Sequence, residues 1–173
     1  ARVERIATEA EVNKQGIYHH FGDKNELLAI VLRRRLDELA DTIAIDPVAV
    51  DAYAGELFDF HVAHPELVRL VLWEGLSSQD GPVVDEVARR EHYRTKTAAL
   101  AKAQANGHMD STLDTRQVVL AILGLINWQM SATQVTRMLF ESDEAIRPPS
   151  IEERRAFVVE MVRRMLAPPT DAG

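Results

Sequence analysis

The residues best suited to chemistry with a partner lie close to the start of the chain, at Lys14, Gln15, Tyr18 and His19. Each of these side chains is polar or amphipathic, and each can form hydrogen bonds with phosphate oxygens or with the edges of bases. Gly16 stands among them and carries no side chain, so the backbone there can approach a partner closely. This set of residues indicates a surface that binds a nucleic acid.

Two short helical patterns around a tight turn would position these side chains. Ile6, Ala7 and Ala10 recur at helical spacing in the first pattern. Asn13 can cap the helix that follows. That second helix repeats its apolar and aromatic residues every three to four positions, at Ile17, Tyr18 and Phe21. A first helix that braces a second one, which can enter the major groove of DNA, is a helix-turn-helix.

The run IATEAEVNKQGIYHHFGDKNELL, residues 6–28, resembles the DNA-binding signature of the tetracycline-repressor (TetR) type of bacterial transcriptional regulators. The pattern of that family reads I-A-x-x-A-G-V-S-x-x-x-[LI]-Y-x-H-F-x-x-K-x-x-L. The matching positions are Ile6, Ala7, Ala10, Val12, Ile17, Tyr18, His20, Phe21, Lys24 and Leu27. So many matches at fixed spacing favour this family over a generic helix-turn-helix.

The resemblance implies that the DNA-binding residues are Asn13, Lys14, Gln15, Gly16, Tyr18, His19 and Lys24. In the family, the positions of Tyr18 and Lys24 usually touch phosphate. Lys24 also stands at a predicted helix N-terminus, where backbone N–H groups favour an anion. Which of Lys14, Gln15 and His19 reads base edges stays open at this stage.

The sequence departs from the family pattern at two turn positions. Glu11 replaces the usual glycine, so we expect a non-glycine residue with a positive φ in the turn. Asn13 replaces the usual serine, and both residues cap helices well. Family members also carry a helix before this motif, whereas this sequence begins almost at the start of the second helix, by truncation or omission of earlier residues. Without that cover, we expect Ile6, Val12, Ile17 and Phe21 to be partly uncovered and the unit to be loose.

Composition limits the class of protein. The chain has 173 residues, of which 46% are hydrophobic, which is typical of a globular protein rather than a disordered one. It has no cysteine, so disulfides and thiolate metal sites are excluded and a reducing cytoplasm is compatible. The longest apolar run, residues 118–130, is too short to span a bilayer, and no signal peptide is recognisable. We therefore expect a cytoplasmic protein without a membrane partner.

The net charge of −7 is unevenly distributed along the chain. Residues 1–35 hold seven Lys or Arg against five Asp or Glu, whereas the remainder holds 13 against 22. A positive end and an acidic body are the expected polarity for a DNA-binding module on a regulatory domain. We predict a DNA-binding domain with its connecting helix over residues 1–43 and a ligand-binding and dimerisation domain over residues 44–173.

The chain beyond the motif reads as helix, which predicts an all-α fold. Spacing, caps and breakers predict helices over residues 23–43, 46–63, 65–73, 83–105, 114–140 and 150–166. Capping boxes begin the first and the last of these, at Asp23 with Glu26 and at Ser150 with Glu153. The segment 65–73 is apolar on nearly all sides and is expected to be buried. The segment 114–140 is expected to form one helix of roughly 40 Å, at about 1.5 Å per residue.

The last two predicted helices carry more apolar residues than one packing face needs. In the helix over residues 114–140 they are Val118, Val119, Ile122, Leu123, Leu125, Ile126 and Met130, and Gly124 would allow a close helix approach. The final helix adds Phe157, Val158, Met161, Val162 and Met165. In the resembled family the corresponding helices pair with their copies in a four-helix bundle. This implies a homodimer on palindromic double-stranded operator DNA, with filling of the monomer core as the alternative.

The resemblance also implies a pocket for a small, largely apolar effector in the carboxy-terminal domain. The candidate residues on the helices that surround the pocket in the family are Tyr53, Phe60, His61, Trp73, Tyr93, Asn127, Trp128 and Met130. Such a mixture suits a small apolar ligand, although each residue is equally compatible with ordinary core packing. The implied function is a ligand-responsive repressor that releases its operator when the effector binds, through a population shift carried by the helix over residues 23–43.

Other classes of protein receive little support from the sequence. His61 and His64 lie three residues apart, but no H-E-x-x-H or Glu-x-x-His pattern joins them to Glu91 or His92 as a metal site. Nucleophile elbows, phosphate loops and paired-carboxylate motifs are lacking, so we predict no catalytic residue, no metal, no cofactor and no enzyme activity. Two alternatives stay open: a helical ligand-binding or dimerisation module without DNA binding, and a helical-bundle metalloenzyme.

Overall fold

The computed structural model describes residues 3–77, 83–140 and 148–169. Within these ranges all regular secondary structure is helical, which confirms the predicted all-α fold. The helices in chain order are α1 (Val3–Glu9), α2 (Lys14–Phe21), α3 (Lys24–Thr42), α4 (Val50–Ala63), α5 (Pro65–Ser77), α6 (Glu86–Ala105), α7 (Thr115–Ser131), α8 (Thr133–Phe140) and α9 (Ile151–Leu166).

The predicted helix caps are confirmed by their hydrogen bonds. The Asn13 side chain accepts a hydrogen bond from the backbone N–H two residues later, at 2.9 Å, and so begins α2. Asp23 and Glu26 form a complete capping box at the start of α3. Ser150 and Glu153 repeat this arrangement at the start of α9. The local sequence therefore determines where these three helices begin.

The turn between α1 and α2 adopts the left-handed backbone conformation expected there. Glu11 has a φ of 54°, which confirms the prediction made from its place in the motif. The backbone N–H of Glu11 donates to the Thr8 carbonyl and that of Val12 donates to the Ala7 carbonyl, which closes the end of α1. A non-glycine residue is strained in this conformation, so Glu11 weakens the unit that it helps to shape.

Two helices begin later than the sequence predicted. Asp46 forms a turn instead of the first turn of α4, because its carboxylate accepts a hydrogen bond from the Val48 N–H at 2.9 Å. α6 begins at Glu86 rather than at residue 83, because Asp85 adopts a left-handed conformation with a φ of 53°. Both corrections reflect local turn geometry, which apolar periodicity does not reveal.

α5 is longer and less buried than predicted. It continues beyond Trp73 to Ser77. Leu67 and Val68 are buried, whereas Trp73 and Leu76 are exposed, Leu76 by 77%. Only the first half of α5 therefore belongs to the core.

The segment predicted as one helix over residues 114–140 is two helices. α8 leaves α7 at an angle of 75° after a break at Ala132. The Ser131 hydroxyl donates to the Asn127 carbonyl at 2.7 Å, and back-bonding of this type bends helices. No single helix in the described part of the chain is long and apolar enough to cross a membrane, although the bent α7–α8 pair reaches that length and composition when taken together.

α4 forms the centre of the main hydrophobic core. It is buried on nearly all sides, at Val50, Tyr53, Ala54, Gly55, Leu57, Phe58, Phe60 and His61. α9 packs along α4, and residues of α3, α5, α6 and α7 complete the surrounding layer. Leu32 and Leu39 are the buried contributions of α3 to this core.

A second, smaller core holds the helix-turn-helix together. Its buried residues are Val3, Ala7 and Ile17, against which Ile6 and Leu27 pack. Val12 and Phe21 are exposed by 49% and 39% and Ile6 is half-buried, as expected, whereas the expectation is wrong for Ile17, which is buried by its packing against Val3 and Ala7. Because Leu27 lies on α3, one helix contributes to both cores.

Candidate nucleic-acid interface and internal cavity

The exposed side of α2 carries the residues predicted to contact nucleic acid. Ile17 is buried in the small core, which turns the opposite side of the helix to solvent. Lys14, Gln15, Tyr18 and His19 are all exposed there. Because positions three and four apart adjoin on a helix, the structure brings these four side chains to one surface.

Lys14 is already engaged within the chain. Its ammonium group pairs with the Glu4 carboxylate of α1 and lies 5.9 Å from the centre of the Tyr18 ring. The hydrogen bond between Lys14 and Glu4 raises the pKa of Lys14 and lowers the pKa of Glu4. Both side chains are solvent-exposed, and ion pairs of this kind contribute little to stability. A DNA contact through Lys14 would therefore replace a weak interaction.

Lys24 links the start of α3 to the body of the protein. It is the first residue of α3, beside the backbone N–H groups that favour an anion. Its ammonium group lies 5.8 Å from the centre of the Trp73 ring on α5. Lys24 therefore stands where the DNA-binding unit meets the body.

Two glycines of the motif have different roles. Gly22 has a φ of 71°, and a Cβ there would lie 1.5 Å from Oε2 of Glu26, so the capping box of α3 requires glycine. The sequence analysis did not single out this position. At Gly16 an added Cβ would meet nothing within 4 Å, so the chain itself sets no steric demand for glycine there. Any demand at Gly16 must come from a partner.

A cavity of about 170 Å³ lies between α3, α4 and α6. Its apolar wall is formed by Leu36, Leu39, Leu57 and Leu123. Charged and aromatic side chains complete the lining, at Arg33, Asp37, Tyr53, Asp85, Arg89, His92, Tyr93 and Lys96. The cavity thus combines an apolar wall with polar groups that can bind a polar substituent of a ligand, which is typical of small-molecule sites.

Lys96 lines the cavity from a buried position on α6. It is 5% exposed, and its ammonium nitrogen has no hydrogen-bond partner among the residues that the structure describes. That nitrogen lies 4.3 Å from the centre of the Tyr53 ring, a cation–π contact. Burial lowers the pKa of Lys96 to about 8. Burial, and then the charge of Lys96, lower the pKa of His92, while burial raises the pKa of the Tyr53 hydroxyl.

The two arginines that line the cavity each form an ion pair. Arg33 of α3 pairs with Asp85, with 3.4 Å between Nε and Oδ2. Arg89 donates to the buried carboxylate of Glu74 on α5 at 2.7 Å. The same carboxylate accepts a hydrogen bond from the backbone N–H of Val84 at 3.0 Å. These contacts fasten α3 and α5 to the start of α6.

Comparison with known families matches both parts of the chain. Residues 1–31 match the family described as bacterial regulatory proteins, tetR family. Residues 49–164 match the tetracyclin repressor-like C-terminal domain. The chain belongs to the TetR family. It is therefore a DNA-binding transcriptional regulator with an N-terminal helix-turn-helix and a C-terminal helical domain.

Two relatives of this TetR-family chain come from Streptomyces coelicolor. The HTH-type transcriptional repressor SCO4008 is 36% identical over 145 residues, which cover 84% of this chain and 76% of that protein. The crystal structure of SCO4942, described as a transcriptional regulator, is 30% identical with a TM-score of 0.81, covering 98% of this chain and 88% of the other. The family match at residues 1–31 speaks against the alternative of a module without DNA binding.

The structure separates the residues that the TetR resemblance assigned to one effector pocket. Tyr53 and Tyr93 line the cavity. Phe60 and His61 are buried in the main core, and Asn127 has a buried side-chain oxygen without a hydrogen-bond partner. These last three side chains are not part of the cavity lining.

The remaining three candidates lie on the outside of the body. Trp73 and Met130 line an open groove beside α5 and α7, and Trp73 also faces Lys24. Trp128 is 64% exposed on α7. Trp73 and Trp128 are exposed, and Met130 is half-buried against the main core, so none of the three lines the cavity that holds Tyr93.

The histidines considered as metal ligands have other surroundings. Within the described ranges, no three His, Cys, Asp or Glu side chains are grouped so that they could hold a metal ion. His61 is 4% exposed, and neither ring nitrogen has a hydrogen-bond partner. Burial, and then the charge of His64, lower the pKa of His61 to about 4. His61 is therefore a neutral core residue at pH 7.

The charged lining of the cavity, above all Lys96, was not predicted from the sequence. A signal for it was present, because Lys96 shares one helical stripe with the buried residues Leu100 and Ala103. A lysine on an apolar stripe is rarely buried without a partner, so a lysine at such a position indicates a candidate functional site. His92 precedes Lys96 by one turn on the same stripe and is half-buried, whereas Arg33 is exposed on α3 and carried no such signal.

Proposed function

We propose that this chain is a ligand-responsive repressor, which binds a palindromic operator as a homodimer and releases it when a small molecule enters the cavity between α3, α4 and α6. The effector favours a conformer whose two copies of α2 no longer match the half-sites. Because its partner is DNA, we expect the protein to act in the cytoplasm.

The observation that carries this proposal is the double role of α3. Arg33 and Asp37 of α3 line the cavity, while Leu27 of the same helix packs against the small core of the helix-turn-helix. A packed helix moves as a unit, so a displacement at one end reaches the other. An occupant that shifts α3 against α6 would therefore reorient α2.

An exposed apolar surface, here named the α7–α9 face, supports the homodimer. On α7 its residues recur at intervals of four, at Leu120, Gly124 and Trp128. On α9 they recur in the same way, at Phe157, Met161 and Met165. A Cβ at Gly124 would meet nothing within 4 Å, so a second helix can approach closely there. Exposed apolar stripes on two helices that contact each other are typical of a protein interface.

The exposed residues of α2 and the start of α3 support separate contacts with the bases and the phosphates of the operator. We assign base edges to Lys14, Gln15 and His19, which lie on the outward side of α2. We assign phosphates to Tyr18 and Lys24, which flank that side and the N-terminus of α3. Phosphate contacts set the register of the helix, and base contacts set the sequence preference.

Selection of bound duplexes from a random-sequence library tests the operator-binding part of this proposal. The intact protein should enrich inverted repeats, and sedimentation of the complex should show an even number of chains per site. His19→Ala should relax the selected sequence at one position of each half-site. His108→Ala, which alters an exposed histidine after α6, should leave the selected sequence unchanged. Enrichment of asymmetric sites bound by a single chain would contradict the proposal.

A further inference from the structure

The cavity between α3, α4 and α6 holds a positive charge for which the described residues provide no counter-ion. Lys96 is 5% exposed, its ammonium nitrogen is buried, and no described residue forms a hydrogen bond with that nitrogen. The Tyr53 ring at 4.3 Å stabilises the cation only in part. A buried, unpaired charge is costly, so a structure that keeps one gains from a ligand of opposite charge.

The other charged groups of the cavity do not meet this need. Arg33 is paired with Asp85, and Arg89 is paired with the buried Glu74. Asp37 also lines the cavity but is exposed to solvent on α3. The charge left inside the cavity is therefore that of a cation.

The volume and the wall of the cavity limit the rest of the ligand. A cavity of about 150 Å³ lined by apolar side chains can hold benzene, and this one measures about 170 Å³. Leucines at positions 36, 39, 57 and 123 and the ring of Tyr93 surround that space. A flat ring with one small substituent matches this volume and this wall.

From these observations we infer that the cavity binds a single-ring aromatic carboxylate, whose ring packs on the leucine wall and whose carboxylate pairs with Lys96. The inference rests on the proposed function only in calling this molecule the effector. The carboxylate would supply the hydrogen-bond acceptor that the ammonium group lacks. A neutral or cationic molecule of the same shape would leave Lys96 unpaired or repelled.

Three probes of one shape and different charge test this inference on the intact protein: benzoate, benzamide and benzamidinium. Titration calorimetry at pH 7 without DNA should show benzoate binding at least about tenfold more tightly than benzamide, with no detectable binding of benzamidinium. Equal affinity for benzoate and benzamide, or a preference for benzamidinium, would overturn the inference.

Substitution of the lysine separates ion pairing from packing. Lys96→Met keeps an unbranched apolar stem and removes the buried charge, so the variant should fold and should bind benzoate no more tightly than benzamide. Lys102→Met changes an exposed lysine of the same helix and should keep the preference of the native chain. A Lys96→Met protein that still prefers benzoate would refute the assignment of its carboxylate to Lys96.

Proton uptake provides a second readout that a merely structural lysine would not give. Because burial lowers the pKa of Lys96 to about 8, part of its side chains are neutral at slightly alkaline pH, and a bound carboxylate should draw a proton onto them. Charged and titratable neighbours from the surrounding helices are Arg33, Asp37, Tyr53, Asp85, Arg89, His92 and Tyr93. Calorimetry at about pH 8 to 9 in buffers of different ionisation enthalpy should show net proton uptake, which Lys96→Met abolishes. Binding without proton uptake would contradict the pairing.

DNA release distinguishes the inference from the proposed function. If benzoate binds through Lys96 and weakens operator binding, both are supported. If it binds through Lys96 and leaves operator affinity unchanged, the assignment of the site stands and the regulatory role of the cavity fails.

Discussion

The buried histidine His61 gives the protein a predictable response to acid. Its pKa is lowered to about 4 in the folded chain, below the ordinary value of 6.5 that applies when the chain is unfolded. Between these two values the unfolded chain binds more protons, so the free energy of unfolding falls as pH decreases from about 6.5 to 4. This difference between the folded and unfolded pKa values corresponds to a loss of about 3 kcal/mol in the free energy of unfolding.

Urea unfolding at pH 7 and pH 4.5 measures this effect. His61→Leu should lose less stability between the two pH values than the native chain, because its core position no longer takes up a proton. His108→Leu, at an exposed position, should behave like the native chain. Identical losses for His61→Leu and the native chain would show that His61 does not couple folding to protonation.

The DNA contacts assigned to two lysines predict different kinds of loss. Lys24→Ala removes a phosphate contact, so operator affinity should fall alike for all sequences and the salt dependence should weaken by about one unit of slope. Lys14→Ala removes a base contact, so specific binding should weaken by about 1–3 kcal/mol with relaxed preference at one position. Lys102→Ala is the exposed control on α6. An unchanged salt slope in Lys24→Ala would remove it from the phosphate contacts.

Glu4 offers an independent test of Lys14. Because Glu4 holds the Lys14 ammonium group in the free protein, Glu4→Gln should release it and strengthen operator binding. The expected gain is small, within about 1 kcal/mol, since the pair is exposed. A fluorescence-anisotropy titration of native and Glu4→Gln proteins on one labelled duplex measures it. A weaker complex for Glu4→Gln would indicate that Glu4 itself supports DNA binding.

At the scale of the elements, the α7–α9 face predicts which substitutions separate the dimer. Phe157→Glu and Trp128→Glu place a charge on exposed apolar positions, so each should yield folded monomers in sedimentation. Leu76→Glu changes a still more exposed apolar residue on α5 and should remain dimeric. A dimeric Phe157→Glu protein would place the interface elsewhere.

The structure changes how this interface can be tested. The apolar excess of the segment over residues 114–140 predicted an interface, but Ile122 and Ile126 are fully buried in the monomer. A charge at either position would unfold the chain rather than separate two copies. The exposed stripe of Leu120, Gly124 and Trp128 could not be distinguished from the core stripes, because all are apolar at helical spacing.

How far the sequence predicted the elements depended on where the decisive interactions lie. Asn13, Asp23 and Ser150 act within three residues of their own helix starts, so these caps were readable. The break at Ala132 accompanies a hydrogen bond from the Ser131 hydroxyl to the Asn127 carbonyl, which apolar periodicity does not reveal. The surface position of Trp73 depends on how α5 packs against the body, which no local pattern records. The cavity likewise arises from residues of four helices, α3, α4, α6 and α7, brought together. The family resemblance predicted Tyr53 and Tyr93 among its lining residues, and the apolar stripe of α6 indicated Lys96.

At the scale of the whole molecule, α3 connects the cavity to the recognition helix. The ion pair of Arg33 with Asp85 lies at the cavity, and the contact of Lys24 with Trp73 lies at the start of the same helix. Both would change if α3 moved against the body. The coupling must also be reciprocal, because an effector that weakens operator binding by some factor is itself bound more weakly by the same factor when operator is present.

The most direct test of this coupling compares two operator dissociation constants. One is measured with the cavity empty, and the other with the cavity saturated by benzoate. The account predicts that saturation weakens operator binding at least about fivefold, the lower end of usual allosteric coupling. It also predicts that saturating operator weakens benzoate binding by an equal factor. A ratio of one, with benzoate shown by calorimetry to fill the cavity, would contradict the account.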